Sequence, residues 1–231
     1  MNTSKFNEMH GNLPFANVGH EQIDGTSFGL VPGNEGSRPD YLVRPIYRES
    51  DYHLLDAHLI LLEECGVKVI ERHPFIAGDN QLCTVSPRLD GPRLDHWAEC
   101  NPKELVSPIL IDHACKLADY FINQLPRNEG LLGDIVSPFQ YRIDDSRPVL
   151  VDIDSCTDNI WLQPPANHLD YDIGSHLVDI GQEYGELLSR SHSKLLNQLL
   201  DTKFHEAVGK SIFVEGDETN SLDTEQYDLF I

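Results

Sequence analysis

Residues Gly130–Asn159 read GLLGDIVSPFQYRIDDSRPVLVDIDSCTDN. Two apolar runs, Gly130–Val136 and Val149–Ile153, lie either side of a polar turn at Asp144–Pro148. Runs rich in β-branched residues around a short Asp/Ser/Pro turn predict a hairpin. Each run delivers carboxylates at or near its end: Asp134 from the first, Asp152 and then Asp154 from the second. Carboxylates at neighbouring strand ends converge on one point, and hard cations with their phosphates need such a cluster of oxygens. Aspartate beside a strand is also ordinary turn chemistry. The weight therefore falls on the order of features around this stretch.

Towards the N-terminus, Leu82–Pro87 reads as a strand, and Val67–Ile70 and Pro74–Ile76 as extended apolar segments. Asp51–Cys65 has Leu55, Leu59 and Leu62 on one helical face, with Ser50 or Asp51 as N-cap and Gly66 as terminator. Tyr41–Tyr47 reads as a strand carrying one cation, Arg44, and Pro45 in it predicts an edge position or a bulge. Ile23–Pro32, IDGTSFGLVP, holds Gly25 and Gly29 with small polar residues between them. Such a stretch is either a hairpin turn or a loop whose amides turn towards phosphate.

After a break at Asp90–Pro92 the pattern becomes helical. Asp95–Cys100 predicts a short helix. Val106–Leu125 predicts a longer one that buries Ile109, Ile111, Ala114, Leu117, Ala118, Phe121 and Leu125. Beyond the central stretch, Tyr171–Arg190 and Ser193–Val208 predict two more helices, and Glu215–Ile231 reads as an acidic tail.

The chain has 231 residues, with 38 acidic and 17 basic side chains and a net charge of −21. Such a surface repels nucleic acid and anionic lipid, so neither is expected as a partner. Five cysteines without a CxxC pair argue against a disulfide framework or a zinc ribbon. They are expected as free thiols in a reducing compartment. No apolar run reaches membrane-span length, and the N-terminus does not read as a signal peptide, so a cytoplasmic location is expected.

In this order the chain resembles the protein-kinase-like fold, in particular its compact bacterial branch with the aminoglycoside phosphotransferases. IDGTSFGLV resembles the glycine-rich loop, YLVRPI the strand of the phosphate-binding lysine, and Asp51–Cys65 the regulatory helix. LLGDIVSPFQY resembles the catalytic loop, VLVDIDS the metal-binding strand, and YDIGSHLVDIGQEYGELL the buttressing helix with Asp170 or Asp172 as anchor. The resemblance implies an α+β fold: a small sheet-plus-helix N-lobe over residues 13–91, hinged to a reduced, mainly helical C-lobe over 92–212. A disordered N-terminus would cover 1–12 and an acidic tail 213–231. It implies Mg²⁺ and ATP as cofactors and phosphoryl transfer to a hydroxyl of a small molecule or protein. Asp134 would be the base, and Asp152, Gln140 and Asp154 the metal ligands. Gly25, Thr26, Ser27, Arg44 and Asp56 would lie about the nucleotide, with Asp56 near the helix carboxylate that partners the cation. The sequence departs from the family pattern in four places. Arg44 replaces lysine, Leu132 replaces the histidine before the catalytic aspartate, Gln140 is one residue out of register, and Asp154 replaces glycine.

Three rivals remain. A catalytically inactive nucleotide-binding or protein-interaction (pseudokinase) module predicts the same fold. VDIDSCTDN also resembles the DxD nucleophile loop of haloacid-dehalogenase-like phosphatases, although too few alternating strands and helices follow it. The same run resembles a calcium loop through Asp152, Asp154 and Asp158, with Thr157 and Gln163 where that loop needs glycine and glutamate. His168, Asp170, Asp172 and His176 form a possible metal set, but read more simply as an N-cap followed by surface polar residues.

Overall fold

In a computed structural model, the backbone is described for residues 19–23, 26–31, 41–45, 49–76, 82–124, 131–132, 134–151, 160–161 and 169–209. Side chains are described for 53, 55–74, 83–123, 135–151 and 173–209. The expected N-terminal segment 1–12 and acidic tail 213–231 lie outside these residues.

The fold is α+β. Strands β1 (Gly19–Ile23), β2 (Thr26–Val31) and β3 (Tyr41–Pro45) are followed by helix α1 (Glu49–Glu64). Then come β4 (Lys68–Val69), β5 (His73–Ile76) and β6 (Leu82–Pro87). One sheet has the order β1-β2-β3-β6-β5, with every neighbouring pair antiparallel. Strand β3 is interior, between β2 and β6, so Pro45 marks neither an edge nor a bulge. It is tolerated as the last residue of the strand, where the ladder ends and its missing N–H costs least.

Helix α1 buries Leu55, Leu59 and Leu62 as their spacing demands. It begins at Glu49, so Ser50 and Asp51 lie inside its first turn and do not cap it. Its end follows the sequence. Gly66 takes φ +83°, its N–H donates to the Glu63 carbonyl, and the Val67 N–H donates to the Leu62 carbonyl. This is the Schellman arrangement, and the left-handed position favours glycine.

Helices α2 (Leu94–Cys100) and α3 (Lys103–Gln124) follow. Strand β7 (Leu131–Leu132) leads into two short 3₁₀ turns, Asp134–Val136 and Pro138–Gln140. Then come β8 (Tyr141–Asp144), β9 (Arg147–Leu150), β10 (Ile160–Trp161), α4 (Leu169–Leu187) and α5 (Arg190–Val208). The hairpin is real, but its first strand is Tyr141–Asp144 and not Gly130–Val136. Strand β9 pairs with β8 through a two-residue turn in which Asp145 and Ser146 both have positive φ. That turn matches the twist of the flanking strands. The earlier apolar run instead gives β7, which pairs antiparallel with β10.

Strand β9 also pairs in parallel with β4, in the order β4-β9-β8. This three-stranded sheet crosses the boundary expected at residue 91. The linker itself is bound to it. The Ile143 N–H donates to the Pro92 carbonyl, and Arg142 Nη1 donates to the Gly91 carbonyl at 2.9 Å. A Cβ on Gly91 would fall 1.8 Å from the Ile143 carbonyl oxygen, so only glycine fits there.

The core lies among the helices. Val106, Leu110, Ala114, Leu117, Ala118 and Phe121 of α3 meet Ile173, Leu177, Ile180 and Tyr184 of α4 and Leu196, Leu200 and Phe204 of α5. Each large side chain contributes roughly 1.5–3 kcal/mol by burial. Ile109 and Ile111, expected inside, are only half-buried, because Leu110 takes the centre of that face. Lys103 Nζ donates to the Leu187 carbonyl at 2.7 Å, placing a cation on the C-terminus of α4. Ser189 caps α5, accepting from the His192 N–H. The four described cysteines, Cys65, Cys83, Cys100 and Cys115, form no disulfide among the described residues. Among the described residues no helix is long and apolar enough to cross a membrane.

Candidate functional site

Two ladders bracket the carboxylates singled out in the sequence. At one side Leu132 pairs with Ile160. At the other, Tyr141 pairs with Leu150, and the Val151 N–H donates to the Gln140 carbonyl at 3.0 Å. Asp134 follows Leu132 by two residues and opens the first 3₁₀ turn. Asp152 follows Val151 directly. The backbone thus brings the 134–140 segment and position 151 together across the β8–β9 hairpin. The Asp134 side chain, Asp152 and Asp154 lie outside the described residues.

The turn segment is held from beneath by aromatic packing. Tyr141 is fully buried, and its hydroxyl donates to the Ile135 carbonyl at 2.7 Å. That bond ties the first 3₁₀ turn to the start of β8. The His113 ring of α3 meets Tyr141 edge-on, with centroids 4.4 Å apart, and Tyr184 of α4 lies 5.8 Å from the same imidazole. Burial pushes the pKa of His113 down to about 3, so the ring is neutral wherever the protein is folded near neutrality. Gln140 closes the second turn, with its N–H donating to the Ser137 carbonyl and its side chain only 3% exposed. Tyr184 follows the inward periodicity of its helix, but neither Tyr141 nor His113 stands out in the sequence. Their only signal is a polar-tipped aromatic or imidazole in an otherwise apolar pattern, which ordinary core positions share.

Asp56 sits on α1 as expected, but its partner was not foreseen. Arg72 Nη2 donates to Asp56 Oδ1 at 2.9 Å. The arginine side chain is 9% exposed and the aspartate 43%, and Arg72 Nε and Nη1 are buried without a hydrogen-bond partner among the described residues. Leaving two buried donors unmet costs about 1–3 kcal/mol each. Arg72 stands where the chain leaves β4 of one sheet and enters β5 of the other. Thr26 and Ser27 begin strand β2, whose register sets Ile23 opposite Thr26, and Arg44 lies in β3 opposite Thr84. Gly25 and the side chains of Thr26, Ser27 and Arg44 lie outside the described residues.

His176 departs from its expected place on the surface. Its ring stacks on Phe121 of α3 at 4.5 Å and 19°, and burial pushes its pKa down to about 4. It is a core imidazole and not a solvated polar group. His168 and the side chains of Asp170 and Asp172 lie outside the described residues. Among the described residues, no group of three His, Cys, Asp or Glu side chains stands close enough to hold a metal. Farther along α4, burial raises the carboxyls of Asp179 and Glu183, and the neighbouring acids Glu186 and Asp179 add to the rise at Glu183.

Compared with known proteins, the chain matches no family model and no curated protein is similar to it.

Proposed function

We propose that this protein is a compact kinase-like phosphotransferase, using Mg²⁺ and ATP to phosphorylate a hydroxyl of a small molecule or protein. The observation that carries this reading is the pair of ladders, 132 with 160 and 140 with 151, which draws the segment opened by Asp134 towards the strand that leads into Asp152. The antiparallel sheet β1-β2-β3-β6-β5, with one helix between β3 and β5, supports it as the nucleotide-binding half. The mainly helical remainder supports it as the acceptor half. Asp152, with Gln140 and Asp154, supplies oxygens suited to Mg²⁺. Asp134 orients the acceptor hydroxyl and takes its proton. Phosphoryl transfer is chiefly positioning and charge stabilisation, so few protein groups need take part.

A second reading, a nucleotide-binding or protein-interaction module without turnover, is favoured by one observation. The α1 carboxylate, Asp56, is already engaged by Arg72.

Calorimetric titration of ATP, with and without Mg²⁺, into wild type and Asp152→Asn tests the site. Metal-dependent binding lost in Asp152→Asn is the expected result. Absence of binding under every condition sinks both readings. If binding is found, a turnover screen with Asp134→Asn as control separates them.

A further inference from the structure

A cavity of about 560 Å³ opens where the end of α1, the start of β4, the first half of α3 and the β8–β9 turn meet. None of Asp134, Gln140, Asp56 or Arg72 lines it. Its size lies within the range of small-molecule sites, about 300–1,000 Å³. Its charge is unlike that of the chain. Three cations, Lys68, Lys116 and Arg147, line it against one lining carboxylate, Asp112, with a second, Asp144, paired to Lys68 beside it. The whole chain has 17 basic residues against 38 acidic. A local reversal of that kind concentrates anions against the repulsion of the remaining surface.

The cations are held in place but not used up. Lys116 Nζ bonds Asp112 Oδ2 at 2.6 Å, one helical turn away, and Lys68 Nζ bonds Asp144 Oδ2 at 2.7 Å. An ammonium has three donors, so each lysine keeps capacity for a further acceptor. Arg147, at the start of β9, makes no ion pair among the described residues, and its planar fork suits two oxygens of one anionic group. The backbone helps to set Lys116. Gly66 leaves room for its stem, because a Cβ there would sit 3.3 Å from Lys116 Cε. At the wall, His113 is buried and its Nε2 has no hydrogen-bond partner among the described residues. A neutral imidazole adds hydrogen-bonding capacity without charge.

We infer that this cavity is a binding site for a compact polyanion, a small molecule bearing at least two phosphate or carboxylate groups. The three cations come from β4, α3 and β9, so a ligand with one anionic group would leave part of the set unused. Nucleic acid is disfavoured by the surrounding negative charge.

Thermal unfolding and calorimetry with sodium pyrophosphate and with citrate, at matched ionic strength and without Mg²⁺, test the inference. The proteins are wild type, Arg147→Ala, the Lys68→Ala/Lys116→Ala pair, and Asp152→Asn. A ligand that binds only the folded chain raises its stability in proportion to the logarithm of occupancy. Wild type and Asp152→Asn should be stabilised alike by at least one probe. Arg147→Ala and the lysine pair should each bind it at least about tenfold more weakly, as loss of charge-assisted bonds predicts. The better probe tells phosphate from carboxylate chemistry. Failure of both probes to stabilise wild type overturns the inference, as does equal binding by Arg147→Ala. Loss of the effect in Asp152→Asn overturns it too, since it would assign the anion to the proposed nucleotide site.

Discussion

The β8–β9 hairpin ends in opposite chemistry. Its open end, at Gln140 and Val151, adjoins the segments of Asp134, Asp152 and Asp154. Its turn end presents Arg147 beside Lys68 and Lys116. One pair of four-residue strands separates the two ends. The segments at the open end belong to one continuous stretch of the chain, residues 130–159. The basic end is assembled by three elements that only the tertiary fold brings together. Cations scattered singly through an acidic chain become a site by convergence, not by local pattern. The same packing serves both ends, because His113 touches Tyr141 under the turn segment and also lines the cavity.

The largest effect is expected at the clamp on the middle of the hairpin. Gly91→Ala pushes a methyl group into the Ile143 carbonyl, with a separation of 1.8 Å before relaxation. A loss of roughly 3 kcal/mol is expected, as for strong overpacking. Urea unfolding reads it, and an unchanged midpoint would show that the linker is not bound to β8.

The shared imidazole comes next. A histidine whose pKa is depressed on folding binds more protons unfolded than folded. Its stabilising contribution is therefore whole above the unfolded value of 6.5 and falls as pH drops from there towards the folded value, about 3 for His113. His176 acts in the same direction, down to about 4. The raised carboxyls of Asp179 and Glu183 act oppositely, since the fold holds their protons more firmly. Comparing wild type with His113→Phe isolates the one group. Between pH 6.5 and 4.5 wild type should lose roughly 2 kcal/mol more than the variant. Parallel pH profiles would contradict a buried neutral His113.

Tyr141→Phe removes the hydroxyl that holds the Ile135 carbonyl and leaves that acceptor buried. It should cost about 1.5 kcal/mol. If the turn segment carries the proposed base, activity should fall further than stability alone explains. Equal Tm values for variant and wild type would remove the bond from the account.

The mildest change sharpens the basic end. Ser146 adopts φ +63° in the two-residue turn, where glycine pays no steric penalty. Ser146→Gly should raise stability by about 0.5 kcal/mol in denaturant unfolding while leaving Arg147 and anion binding in place. A loss of stability would mean that the Ser146 side chain has a role that its backbone does not reveal.

Much of the fold was legible because its signals are local. The Leu55, Leu59 and Leu62 stripe, the Gly66 stop and the periodic apolar faces of α4 and α5 each depend on residues within a few turns. The polar turn of the hairpin was legible for the same reason, since Asp and Ser tolerate left-handed backbone. The strand before it was misread. Tyr141–Asp144 alternates apolar with charged residues, whereas the largely apolar run at 130–136 looks more like a strand and in fact yields only β7 and a 3₁₀ turn. Tyrosine and arginine on a short strand are decided by what receives them: the Ile135 carbonyl for one and the Gly91 carbonyl for the other. Candidate carboxylates could be named from position. The supporting Tyr141 and His113 could not, because an isolated polar aromatic carries no sign of its partner.

The acidic balance, the helices with their stops, the polar turn and the placing of Asp134, Asp152 and Asp154 along residues 130–159 are all present in the sequence itself. These follow from charge count, periodicity and glycine geometry, all of them short-range properties. Only the tertiary structure decided that β4 pairs with β9 across the expected boundary, that Arg72 takes Asp56, and that Lys68, Lys116 and Arg147 share one cavity. Those pairings join residues from 16 positions apart, for Arg72 and Asp56, to 81 apart between Lys68 and Val149 (149 − 68). Over such distances no local propensity acts, and burial of the shared core selects the partners.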